Sequence, residues 1–256
     1  MSSGITVVKI GGSTLGAEDT SLEDVVALAE EGRRPIVVHG GGAMISGWLD
    51  RMGIESEFVD GLRATNSEAI DVVVGVLRGV VNARLVAQIV ERGGRAVGVS
   101  GIDGGAIRAE RYDERLGLVG RVTEVDASFF TSLVDAGVVP VVAPIGLEAP
   151  SQPLNINADT VAGELARAVE AERLLFLTDV DGLMDGDGTV IRALGVSQAA
   201  ALREGGVLMG GMIPKVDACF RAAEVGAEAY IANGTLPETV RGLFSGERPG
   251  TRVGGN

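Results

Sequence analysis

Apolar residues fall along this chain in short runs separated by stretches of helical period. The runs at 5–10, 35–39, 96–99, 138–143, 174–178 and 229–232 are predominantly apolar rather than alternating. A strand with one wet face alternates, whereas a strand covered on both faces of a parallel sheet reads as a continuous apolar run. Between the runs, residues 22–31, 158–170, 197–204 and 215–225 carry helical patterns. Strands interleaved with helices predict an α/β fold with ligands at the carboxyl ends of the strands.

The clearest helix is predicted over 65–92. Thr65-Asn66-Ser67-Glu68 fits a capping box, with Thr65 accepting from a free backbone N–H and Glu68 reaching back. Gly93-Gly94 supplies the stop. Its apolar positions (Ile70, Val73, Val74, Leu77, Val80, Val81, Leu85, Ile89) are denser than one buried stripe requires. Such a helix is either internal or packed against a second subunit. A turn-rich, charged segment at 103–124 interrupts the pattern, and reads either as a hairpin over the site or as a solvated loop. A change of lobe is expected near Ala171, dividing the chain into 1–170 and 171–256.

Composition narrows the function. The chain has 256 residues, enough for one large domain or two closely joined lobes. Its formal charge is −13, from 22 basic and 35 acidic residues, with no basic run to reverse the field locally. Such a surface repels nucleic acid and anionic lipid, and an anionic substrate would need placed cations to overcome it. The single cysteine, Cys219, excludes an intramolecular disulfide and reads as an inert buried thiol. The opening residues lack a basic stretch followed by an apolar one, and no apolar run nears the ~20 residues that span a bilayer. The expected location is the cytoplasm.

Three glycine elements stand at strand ends. They are Lys9-Ile10-Gly11-Gly12-Ser13, His39-Gly40-Gly41-Gly42, and Met209-Gly210-Gly211-Met212-Ile213-Pro214-Lys215. Glycine lets the backbone approach an anion closely while free N–H groups point at it, and lysine adds a full charge. Together they suit a phosphate-handling site. Taken alone, Lys9 reads as readily as a strand-end charge, and His39 as a residue making a structural hydrogen bond. Lys215 opens a predicted helix, where the helix dipole disfavours it. Asn157 or Asp159 is the expected cap of the helix at 158, which leaves Asn155 and Asp159 free to serve a site. Arg63, just before the long helix, is a candidate carboxylate clamp, though alone it reads as a surface arginine. The acidic stretch Asp179-Val180-Asp181-Gly182-Leu183-Met184-Asp185 fails as a calcium loop, because the fifth position is Leu183 and the twelfth Val190. A turn covering a nucleotide fits it better. No Walker-type loop, dinucleotide fingerprint or zinc-protease motif is present.

In order and spacing, these motifs resemble the amino acid kinase family, over essentially the whole chain. The most telling pieces are Val38-His39-Gly40-Gly41-Gly42, Gly61-Leu62-Arg63-Ala64-Thr65, Leu116-Gly117-Leu118-Val119-Gly120, Ala143-Pro144-Ile145-Gly146, Asn155-Ile156-Asn157-Ala158-Asp159 and Gly211-Met212-Ile213-Pro214-Lys215. The Arg63, Asn155 and 116–120 motifs are most similar to members acting on N-acetyl-L-glutamate. The resemblance implies a three-layer α/β/α sandwich with a mostly parallel central sheet and two lobes, the first holding the amino-acid substrate and dimer interface, the second ATP with Mg²⁺. It implies that Lys9 and Lys215 stabilise the transferring phosphoryl group and that Asp159 holds both. It assigns backbone N–H groups of Gly11, Gly12, Gly41 and Gly42 to phosphoryl oxygens and substrate, and Arg63 and Asn155 to the substrate's carboxylates and amide. Asp179, Val180, Asp181, Gly182, Leu183 and Met184, with Met209, Gly210 and Gly211, would line the nucleotide. The implied reaction is phosphorylation of the side-chain carboxylate in arginine biosynthesis, with no protein-held metal, in a homodimer. Arginine-inhibited relatives carry an extra N-terminal helix; here the first predicted strand starts within about five residues of Met1, so insensitivity to arginine is expected.

The rival within the family is a kinase acting on carrier-linked aminoadipate, whose acidic carrier the charge of −13 would repel. A non-catalytic ligand sensor on the same fold is expected to have lost Lys9, Lys215 or Asp159, and all three are present. A dinucleotide-binding oxidoreductase lacks its fingerprint.

Overall fold

The computed structural model describes residues 4–11, 20–59, 61–246 and 250–254. Gly12 and Ser13 of the first glycine turn, with Asp60 and Pro249, lie outside them.

The apolar runs form an eight-stranded sheet. Its spatial order is Ala193–Leu194, Thr251–Val253, Glu228–Asn233, Arg173–Thr178, Ile5–Ile10, Arg34–His39, Val139–Ala143 and Ala96–Ser100. Every neighbouring pair is parallel except Glu228–Asn233 with Thr251–Val253. Ile5–Ile10 is buried along its whole length, as covering on both faces requires. Two core clusters lie on the two sides, one around Phe130, Leu165 and Phe176, the other around Leu49, Leu77 and Leu85.

From Ile5–Ile10 the chain builds Arg34–His39 and the strands beyond it on one side, then returns to lay Arg173–Thr178 on the other. The order reverses at the first strand. In open α/β sheets the crevice at such a reversal, at the carboxyl ends, is where ligands bind. Lys9 is the penultimate residue of that strand, paired with Val38 on one side and Phe176 on the other.

The charged segment at 103–124 is a hairpin, Ile107–Arg111 against Gly120–Val125. It joins Ile145–Glu148 and Gln152–Asn155 in a separate four-stranded sheet. The long helix is one rod from Ser67 to Glu91 with π-helical turns over Gly75–Asn82. Its cap is not Thr65. Asn66 accepts from the N–H groups of Glu68 and Ala69, because Thr65 is engaged elsewhere: its N–H donates to Leu116 O at 2.9 Å and its carbonyl accepts from Leu118 N at 2.7 Å. The third glycine element follows the helix Val196–Glu204 rather than a strand, and the helix after it starts earlier than predicted, at Met212, so Lys215 lies inside that helix rather than opening it.

Candidate active site

Three charged side chains from three elements meet at the reversal point. Lys9 comes from the first strand, Asp159 from the first turn of Ala158–Ala168, and Lys215 from Met212–Ala223. Lys9 Nζ lies 2.8 Å from Asp159 Oδ1, and Lys215 Nζ lies 2.9 Å from Oδ2. All three are buried, and Lys215 Nζ rests over the Phe176 ring at 5.0 Å from its centroid. Asn157 takes the cap of the Asp159 helix, accepting from Asp159 N at 2.9 Å and Thr160 N at 3.1 Å. That leaves the Asp159 carboxylate for the lysines, in a first turn whose dipole favours a negative charge.

The set carries two positive charges against one negative. Burial pushes the Lys9 ammonium below its ordinary range; Asp159 opposes this and Lys215 reinforces it. Burial works against the Asp159 charge as well, but the two ammonium groups outweigh it and hold the carboxyl below its usual range. The result is a buried site one positive charge in excess, suited to an anion.

Spacing between the helices is set by backbone contact. A Cβ on Gly163 would lie 2.6 Å from Ala218 Cβ and 2.8 Å from its Cα. Gly163 is one turn beyond Asp159 and Ala218 one turn beyond Lys215, so this contact governs how closely those two side chains approach.

Beside the triad, Gly41 caps and Gly42 opens the helix Gly42–Met52, whose first N–H groups have no acceptor within the helix. Gly41 is glycine for want of space: a Cβ there would meet Leu77 Cδ2 at 2.7 Å. Arg63 adjoins this turn. Its Nη2 donates to Gly42 O at 3.0 Å and to Ser46 Oγ at 2.8 Å, its Nη1 donates to Ser56 Oγ, and the guanidinium stacks on Phe58. Arg63 is buried, so the surface reading of it fails. Among the described residues no carboxylate forms an ion pair with it; its hydrogen-bond partners are neutral and Asp50 acts on it only from a distance, which leaves its fork open to an anion. Asn155 donates to Thr65 Oγ1 at 3.1 Å, tying it to the segment that carries Arg63. Gly11, at the end of the first strand, is buried.

On the other side of the reversal, Val180, Gly182, Leu183 and Met184 line an apolar cavity of about 210 Å³ with Leu202, Val207, Leu208 and Met212. Thr251 Oγ1 accepts from Leu183 N at 2.8 Å, fixing the loop. Asp179 and Asp181 are exposed and are not among the lining residues, and Asp181 accepts from Asn233 Nδ2 at 2.7 Å. Met209, Gly210 and Gly211 stop short of the cavity, and Met212 takes their place. The sequence reading missed Leu202 and Met212, which look like ordinary apolar helix positions, Val207 and Leu208 in the turn between their helices, and Ser46, Ser56 and Phe58 around Arg63. A larger cavity of about 540 Å³ between Leu28 and Phe244 shares no residue with this set.

Residues 4–233 match the model of the amino acid kinase family. An acetylglutamate kinase of Dehalococcoides mccartyi is 38% identical over 99% of this chain and 96% of its own length. One from a Synechococcus species is 44% identical, covering 98% and 88%. A solved Streptococcus mutans protein shares the fold at a TM-score of 0.86 and 24% identity, covering 99% of this chain and 100% of its own. The chain belongs to the amino acid kinase family.

Proposed function

We infer that this protein transfers the γ-phosphoryl group of ATP to the side-chain carboxylate of N-acetyl-L-glutamate, giving the acyl phosphate used in arginine biosynthesis. The relatives named acetylglutamate kinase support the substrate. The observation that carries the chemistry is two buried ammonium groups on one buried carboxylate at the sheet's reversal point, beside a helix start whose first amides have no acceptor within the helix.

The nucleophile, a carboxylate with a pKa near ~4.3, is ionised at pH 7 and needs no general base. One carboxylate oxygen forms the new bond to phosphorus as the bond to the β-phosphate oxygen breaks, and ADP leaves with that electron pair. Both reactants are anionic, so the barrier is alignment and repulsion. Lys9 and Lys215 take the charge of the transferring group, joined by the N–H groups of Gly11, Gly12, Gly41 and Gly42. The phosphoryl oxygens return to Lys9 the counter-charge that burial denies it. Asp159 holds the two lysines together against their repulsion. Arg63, with Asn155, holds the substrate's carboxylates and amide.

The apolar cavity formed by the 179–184 loop is suited to a flat nucleobase, with Met209–Gly211 leading to the phosphates. Among the described residues no group of three or more His, Cys, Asp or Glu is placed to hold a metal. Mg²⁺, which dehydrates reluctantly, would arrive on the ATP phosphates and supply further charge neutralisation. Residues 1–170 would thus form the substrate lobe and 171–256 the nucleotide lobe. Trp48 and Met52 of Gly42–Met52, with Val72, Val76 and Val80 of the long helix, line an apolar groove, and the proposed homodimer covers it; sedimentation of Met52→Glu, a substitution at an exposed position, as a monomer would support this. Among the described residues no helix is long and apolar enough to cross a membrane, which is compatible with the proposed cytoplasmic location.

The decisive experiment traps the acyl phosphate with hydroxylamine in the presence of MgATP. N-acetylglutamate is expected to give hydroxamate while glutamate, aspartate and bicarbonate with ammonia do not. Product with aspartate alone, or with none of them, would overturn the substrate assignment.

A further inference from the structure

The only histidine of the chain is fully buried, one residue before the glycine turn, and the chemistry above does not use it. Both of its ring nitrogens are engaged. Nδ1 lies 2.9 Å from Gly40 O, and Nε2 lies 3.1 Å from Asn82 Nδ2. The same Asn82 nitrogen donates to Val141 O at 2.8 Å, while Asn82 Oδ1 accepts from Arg78 Nη1 at 3.3 Å. Arg78 in turn meets Asp103, which accepts from Ser100 N at 2.6 Å and Ser100 Oγ at 2.8 Å.

This arrangement fixes a proton. An amide nitrogen only donates, and Asn82 is held in one orientation by a carbonyl at its nitrogen and a guanidinium at its oxygen. Nε2 of His39 must therefore accept, so Nδ1 carries the hydrogen and donates to Gly40 O. Burial keeps the ring neutral, with its pKa lowered to about 4. A trans peptide is planar, with its C=O and N–H on opposite sides. Holding Gly40 C=O against the imidazole aims the Gly41 N–H the other way.

The helix that supplies Asn82 also presses on the turn directly. Leu77 and Val81, in the same π-helical stretch, occupy the space a Gly41 side chain would need. Behind Asn82, a Cβ on Gly98 would fall 1.9 Å from Asn82 Oδ1, so the adjoining strand is cut back to admit the carboxamide.

We propose that Asn82 is a positioning residue for phosphoryl transfer: it sets the His39 tautomer, and His39 then fixes the Gly40–Gly41 peptide so that the Gly41 N–H faces the transferring group. The proposal rests on Gly41 being a phosphoryl contact, as read above.

With one histidine, an untagged ¹⁵N-labelled sample gives a single imidazole spectrum. Wild type is expected to show the Nδ1–H tautomer, unchanged from pH 6 to 8. Asn82→Asp offers Nε2 an acceptor, so the proton should move to Nε2 or both nitrogens should be protonated. In that variant kcat should fall about 10- to 100-fold, less than loss of a whole oxyanion donor, while KM for N-acetylglutamate changes less than about threefold. His39→Asn places an amide donor near the former Nδ1, independent of any tautomer. Adding Asn82→Asp to His39→Asn should therefore cost little further kcat, whereas a purely structural Asn82 would cost the same in both backgrounds. An Nε2–H tautomer in the wild type overturns the proposal without any variant having to fold. So does a displaced proton with kcat within threefold of wild type, or a full additive loss in the double variant. The spectrum is independent of activity; wild-type turnover surviving Lys9→Ala and Lys215→Ala would instead sink the kinase-site reading itself.

Discussion

At the scale of single residues the site depends on charges that are expensive to bury. Lys9→Ala or Lys215→Ala removes a cation from the proposed reacting centre, and kcat is expected to fall about 10²- to 10³-fold, as for loss of a transition-state donor. Binding of N-acetylglutamate, which the proposed function assigns to Arg63 and Asn155, should change far less; calorimetric titration separates the two effects. Asp159→Asn leaves two buried ammonium groups without a counter-charge, and breaking such a set costs about 3–5 kcal/mol of stability. His39 contributes differently. Its folded pKa is depressed, from 6.5 to about 4, so between those values the unfolded chain takes up a proton that the folded one refuses. Stability from this residue is complete above pH 6.5 and is lost as the pH falls towards 4, by about 3 kcal/mol. Urea unfolding at a series of pH values should show a shallower decline over that window for His39→Asn than for wild type.

At the scale of elements, two helices must touch for the triad to exist. Gly163→Ala would put a methyl 2.6 Å from Ala218 Cβ and 3.1 Å from its carbonyl oxygen, so the helices must part. The expected cost is about 1–3 kcal/mol, with a fall in kcat as Lys215 draws away from Asp159. Ala218→Gly added to it should restore part of both, since it removes the nearest atom and leaves the backbone contacts; unaltered kcat in the single variant would show that the triad tolerates separation. The strands that frame this site were legible because fully covered strands leave one signature, the unbroken apolar run, and Ile5–Ile10 carries it end to end. The helix start at 66 was not. Thr65 and Asn66 both cap well, and what excludes Thr65 is its pairing with the 116–118 segment, a contact fifty residues away in sequence. The same limit hid Leu202, Val207, Leu208 and Met212, apolar residues of two helices and the turn between them that nothing local marks until the loop carrying Gly182 and Leu183 is folded over them. Lys9, Asp159 and Lys215 were visible as candidates through their glycine and asparagine neighbours. Their convergence needed the sheet order, since only the reversal at the first strand brings residues 9, 159 and 215 together.

At the scale of the whole molecule, a local excess of positive charge sits inside a body of formal charge −13. The two fields differ in range. In the proposed reaction the lysines act at contact distance on a bound phosphoryl group, in a buried setting that salt screens poorly. The acidic surface acts through solvent on anions still approaching. Raising the ionic strength from about 0.01 to 0.1 M shortens the Debye length from about 30 to 10 Å. The latter is below the ~18 Å radius of gyration expected for a chain of this length. Remote acids should therefore fade while the contact charges persist. The apparent KM for ATP and for N-acetylglutamate is expected to fall about twofold or more over that range, with kcat nearly constant. Steady-state rates in potassium chloride, at fixed free Mg²⁺, test this. A KM that climbs steadily with salt would mean that attraction to the buried cations, and not repulsion by the surface, governs how substrates arrive.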